Sequence, residues 1–174
     1  MAYANGHPIR IVGGRLALDL VNTADWSAEG DIVHEKVESL DDLTVWLQAL
    51  GLPEVEQPPS AEIFRLFRAE LRQFLRSADR PNQLKLQREL ESLRGNAGIG
   101  RQTLTGLAVM SAFSIVADPR ELGRIKTCPA EDCGWMFVDE TRNSRRTWCL
   151  METCGNRAKA ARHYQRARRK RKDA

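Results

Sequence analysis

No cysteine occurs in the first 127 residues of this 174-residue chain; all four lie between Cys128 and Cys154. That excludes a disulfide framework spread along the polypeptide. Long apolar runs are missing too, and without about eighteen consecutive apolar residues a transmembrane helix is not expected. The opening Met1-Ala-Tyr-Ala-Asn-Gly-His-Pro8 lacks a basic start followed by an apolar stretch, so a secretory signal is not supported and the expected location is cytoplasmic. In a reducing compartment clustered thiols favour a metal over disulfides. Catalytic signatures are also absent: no Gly-rich phosphate loop, no G-x-S-x-G and no paired-carboxylate motif. His7, His34 and His163 are scattered, with no nucleophile at a recognisable spacing. No enzyme activity is expected.

Charge is present but unevenly placed. From Cys128 onward there are 12 Lys and Arg against 6 Asp and Glu, a net +6; the first 127 residues hold 15 against 17, a net −2. A mildly acidic body carrying a basic end predicts an anionic partner for the end, nucleic acid before a membrane surface.

The four cysteines form two C-x4-C pairs, Cys128/Cys133 and Cys149/Cys154, fifteen residues apart. Each pair sets two thiolates on one tight turn, and the span lets the second turn reach the first, as a tetrahedral zinc requires. Four protein ligands close the coordination sphere, so the expected ion is one structural Zn2+. Between the pairs, residues 135–140 read as a strand, 141–144 as a turn and 145–149 as a returning strand. Residues 158–172 then read as a helix, with Cys154 near its N-terminus. Knuckle, hairpin, second ligand pair and helix describe a treble-clef zinc finger. Arg142, Arg145, Arg146 and Arg157 are placed to offset the charge of a tetrathiolate site.

The run Cys154-Gly-Asn-Arg157, following C-x4-C, an aromatic hairpin and Trp148-Cys149, resembles the CGNR zinc finger of bacterial regulators over residues 126–169. The resemblance implies that Asn156 and Arg157 belong to a signature: Asn156 closing the helix N-terminus, Arg157 binding a phosphate or a carboxylate. Further upstream, Gly13-Gly-Arg-Leu-Ala-Leu-Asp-Leu-Val-Asn-Thr23 resembles the opening motif of the ABATE domain that usually precedes this finger, a domain described as a stress-response regulator. The resemblance implies residues 1–125 as an ABATE-like domain and 126–174 as the finger.

The body itself reads as mainly helical. Residues 1–8 read as weakly held, 9–12 as a short strand, 15–23 as a helix and 24–36 as a loop. Ser39 or Asp41 caps a helix over 42–50, ended by Gly51. A helix over 61–77 carries Ile63, Phe64, Phe67, Leu71, Phe74 and Leu75 on one face. Another opens at Pro81-Asn82 with Leu84, Leu86, Leu90 and Leu93, before a turn at 98–100. Residues 104–117 are apolar nearly all round and predict a central buried helix, followed by a short one over 120–123. Asp19, Asn22 and Thr23 could line a pocket or cap a turn.

Function then rests on the last helix. At 100° per residue Lys159, Arg162, Arg166 and Arg169 span an arc of roughly 80°. Ala160, Ala161, Tyr164 and Ala167 lie opposite, a small-residue face to pack on the hairpin. The cationic stripe suits phosphates, and Arg142, Arg145, Arg146 and Arg157 extend it. The competing view is a solvated helix and an ordinary polar turn. Trp135, Phe137 and Trp148 are either stacking platforms for bases or the finger's small core. The leading expectation is a regulator that binds nucleic acid, DNA before RNA, with no membrane role and with a homodimer through the helical domain as one arrangement. The alternative is a protein-interaction module whose finger docks an acidic partner while the helical domain senses a ligand.

Overall fold

A computed structural model of the chain describes residues 1–77 and 103–172. The helix expected from Pro81-Asn82 and the turn at 98–100 lie outside the described residues. The element order is α1 (Leu16–Val21), β1 (Ala24–Trp26), β2 (Ile32–Glu35), α2 (Leu40–Ala49), α3 (Ala61–Ser77), α4 (Leu104–Ala117), α5 (Pro119–Leu122), β3 (Ile125–Thr127), β4 (Met136–Val138), a π turn (Met151–Gly155) and α6 (Asn156–Lys172). A helical body is thus followed by a small hairpin and a C-terminal helix.

The helices obey their periodicity. In α3, Phe64, Phe67, Leu71, Phe74 and Leu75 are buried, while Ile63 and Leu66 stay exposed. Ser39 caps α2 in a capping box with Asp42, which also accepts from the backbone of Ala4. Helix α4 is the most apolar of the long described helices, and its small Ser111 lets α1 come close enough for the Ala17 N–H to donate to its hydroxyl at 3.1 Å. Even so, Met110 and Phe113 remain about half exposed, so the helix is not covered all round.

Three local expectations are corrected. Residues 9–12 form no strand. Residues 24–36 are not a loop: β1 and β2 pair antiparallel, with a bulge between Asp25 and Trp26. Residues 1–8 are held, because Tyr3 is buried and Asn5 donates to the Glu35 carbonyl.

The hairpin of the C-terminal part also differs. Strand β4 pairs with β3, in the register Ile125↔Val138 and Thr127↔Met136, around the Cys128–Cys133 turn. Residues 145–149 do not return as a strand, because side chains take up the groups a ladder would use. Buried Asp139 accepts from the backbone N–H groups of Thr141 and Arg146, and the Lys126 ammonium donates to the carbonyls of Ser144 and Arg146.

The free edge of β4 is served by the opening motif instead. Gly13 offers its carbonyl to the Val138 N–H at 2.9 Å. The Asn22 amide meets Met136 twice, accepting from its N–H and donating to its C=O, both at 2.8 Å. Met136 and Val138 accordingly lie in the core of the body. In exchange, Ala24 and Trp26 of β1 lie in the core that surrounds the cysteines.

Candidate metal centre and basic arm

Cys128, Cys133, Cys149 and Cys154 are all buried, and their sulfurs lie within 4.8 Å of one another. The Cys133–Cys149 and Cys149–Cys154 sulfur separations are 3.5 and 3.6 Å, far too long for disulfides. A tetrahedral zinc with bonds of about 2.3 Å places its sulfurs about 3.8 Å apart, so the spacing fits that ion. Backbone N–H groups of Ala130 and Cys149 point at the Cys128 sulfur, and that of Trp135 at Cys133. Hydrogen bonds from the Cys133 and Cys149 thiols hold Cys128 far below the usual thiol range. Those same contacts, with burial, push Cys133 and Cys149 up. Four close thiols cannot all ionise unaided; a divalent cation among them resolves the conflict.

The surrounding arginines divide by role. Arg157 lies at the start of α6 and donates to the Cys154 sulfur at 3.6 Å; this bond raises its own pKa. That contact is the charge-offsetting position expected for it beside the four sulfurs. Asn156 donates to the Glu152 carbonyl at 3.1 Å, tying the helix start to the π turn. Arg146, expected at the interface, is largely occupied within the protein. It stacks on Phe137 at 4.2 Å and spends four of the five guanidinium N–H donors on the carbonyls of Val12, Val138, Trp148 and Cys149. It is thus a brace between finger and body, with little left for a phosphate. Arg142 and Arg145 are exposed.

Asp139 organises the loop behind Arg146. Burial alone would raise its pKa, but hydrogen bonds from Lys126, Thr141 and the Arg146 backbone hold it well below the usual carboxylate range. Trp135 and Phe137 are core, and the Trp135 indole donates to the Ala24 carbonyl at 3.0 Å. Trp148 is half-buried and borders a surface groove with Arg145 and Met151.

Residues 14–119 match the ABATE family, described as "Putative stress-induced transcription regulator", and residues 124–167 match the CGNR zinc finger. The chain belongs to the ABATE family. No curated protein matches it. The CGNR finger and its clustered thiols hold one structural zinc ion. No helix among the described residues is long and apolar enough to cross a membrane.

Beyond the zinc, α6 behaves as an arm. Every residue from Lys159 to Arg169 is exposed, and Tyr164 is 71% exposed. The small face of Ala160, Ala161, Tyr164 and Ala167 therefore does not pack on the hairpin as expected. Alanine methyl groups bury too little area to hold a helix against a surface on their own. Lys159, Arg162, Arg166 and Arg169 project from an otherwise bare helix.

Sequence reasoning missed how the ABATE motif serves the finger. Asp19 accepts from the backbone N–H groups of Val12 and Gly13 at 2.8 and 2.7 Å, so it caps a turn. Burial raises its pKa, and those bonds pull the other way. Arg15 pairs with Glu121 at 2.6 Å and with Glu140 at 3.1 Å, tying the motif to α5 and to the end of β4. Neighbouring polar residues in one motif were the available signal. The partners of Arg15 and Asn22, more than a hundred positions away, could not be read from local spacing.

Proposed function

We propose that this ABATE–CGNR chain is a non-enzymatic transcription regulator working in the cytoplasm. Its treble-clef finger presents α6 to nucleic acid, DNA in preference to RNA. The observation that carries this reading is the arm: nine lysines and arginines and no acid from Asn156 to Lys172, on a helix exposed from Lys159 to Arg169. A helix polar on all sides needs outside stabilisation, and a row of phosphates supplies it by releasing condensed counterions. Arg142 and Arg145, on the same C-terminal module, are the additional contacts; Arg157 balances the zinc site. Zinc with four protein thiolates has no open position for substrate, which supports a scaffolding role. A homodimer through the body would cover the exposed Ile63, Leu66, Met110 and Phe113.

The test is a gel-shift titration of the zinc-loaded protein on duplex DNA at several salt concentrations. Four phosphate contacts from Lys159, Arg162, Arg166 and Arg169 predict a log K against log salt slope of about −3.6, steeper if Arg142 and Arg145 join. Arg162→Gln with Arg166→Gln should reduce the slope by about 2. A salt-insensitive or absent shift, together with a nuclease-resistant complex with an acidic protein, would move the reading to a protein-interaction module.

A further inference from the structure

Among the described residues, one buried cation of the body has no counter-charge. Arg68 is paired with Glu35, and Lys36 with Asp25. Arg72, one turn beyond Arg68 on α3, is only 3% exposed, and no ion pair holds it among the described residues. Its Nε and Nη1 are buried without a hydrogen-bond partner among the described residues. The guanidinium lies 4.3 Å from the centroid of the Trp26 ring. That contact offsets part of the desolvation but supplies no acceptor for the N–H groups. Burial first, and then the neighbouring Arg76, lower Arg72 to about 10, so it stays charged at neutral pH.

Arg76 lies at the rim. Its guanidinium rests on the 27–30 loop, with long contacts to the carbonyls of Ala28 and Glu29 at 3.3 and 3.5 Å. Together with Trp26, Gly30 and Gln73 the two arginines line a cleft of about 540 Å³. Small-molecule sites typically occupy about 300–1,000 Å³. Glu29, the acid in the lining, is exposed and is held by its own backbone N–H and by Ser27 rather than by either arginine.

We propose that this cleft binds a small ligand bearing a carboxylate or phosphate, with Arg72 as the buried anchor and Arg76 as the gate-side contact. Planar guanidinium donors suit either oxyanion, and a dry setting strengthens the bond. The site also has a route to the finger. A side chain on Gly134, next to the zinc ligand Cys133, would begin 3.2 Å from the Arg72 Nη2. The Trp26 N–H donates to the Cys133 carbonyl at 3.1 Å. An anion on Arg72 therefore braces the joint that carries the first zinc knuckle. This inference does not depend on nucleic-acid binding by α6.

The experiment uses the full zinc-loaded chain, with inorganic phosphate and succinate as separate probes at constant ionic strength. Thermal unfolding and zinc release to a chelator are read together. A saturable rise in Tm and slower zinc release are expected with at least one probe. Arg72→Gln should abolish both effects, yet unfold no earlier than the parent without ligand, because it removes an uncompensated buried charge. Arg76→Gln, an exposed change that leaves the core alone, should weaken the response about tenfold. Arg162→Gln in α6 should respond like the parent. No saturable response to either probe overturns the proposal, as does an undiminished response in Arg72→Gln or its loss in Arg162→Gln. If Arg72→Gln does not fold, an unchanged response in Arg76→Gln overturns it as well.

Discussion

Replacing Asn22 by alanine tests how body and finger are joined. The amide satisfies both polar groups of Met136 in a buried position, with two bonds of 2.8 Å. Its removal leaves one buried N–H and one buried C=O without partners. Each orphan costs about 1–3 kcal/mol, so Asn22→Ala should cost about 2–6 kcal/mol. For a chain of this size a loss of 1 kcal/mol lowers Tm by about 2–4 °C, and a mid-range loss of about 4 kcal/mol predicts a drop of about 8–16 °C. Asn22→Asp should be no milder: it keeps an acceptor for the N–H but sets a carboxylate against the Met136 carbonyl. Calorimetry of the zinc-loaded protein gives the Tm, and a chelator assay gives the zinc release rate, which should rise in both variants. A loss below about 1 kcal/mol with unchanged zinc release would show that the motif does not hold the edge of β4, and the joint described here would be wrong.

Three further outcomes follow from the same contacts. Stripping zinc should lower the melting temperature of the helical signal as a whole, because Met136 and Val138 are part of the body core; circular dichroism before and after chelation checks this. Gly134→Ala should cost about 2–5 kcal/mol in denaturant titration: Gly134 has φ +55°, and a Cβ there would meet the Trp26 carbonyl oxygen at 2.7 Å. Helical content of the free protein should rise when duplex DNA is added at low salt and fall back at high salt, since phosphates relieve repulsion along α6; far-UV circular dichroism reads the change.

The thiol spacing made the metal centre legible, because four ligands on two short turns leave few other uses. Helix α3 was legible because its apolar positions follow a period of 3.6, and α4 because a long run of apolar and small residues is closed by Asp118-Pro119. The β1–β2 hairpin was not, since Ile32, Val33 and His34 of β2 are exposed and give no clean alternation. A return strand over 145–149 was plausible from composition, yet Asp139, Lys126 and Arg146 supply the hydrogen bonds by side chain. Arg146 illustrates the limit most sharply. Its neighbour Arg145 is exposed, and nothing in the local sequence says which of the two turns inward. That choice depends on the Phe137 ring and on carbonyls of Val138 and of distant Val12, as well as the nearby Trp148 and Cys149.

The exchange of side chains between the two cores bears on how this protein can be dissected. A cut near residue 125 would strip Met136 and Val138 from one fragment and leave the other without Ala24 and Trp26. Each piece would present a raw apolar wound, so neither half is a faithful stand-in for its share of the whole. The same mutual insertion fixes the base of the arm to the helical body, and a change in the body's packing would re-aim the arm rather than leave it swinging on a tether.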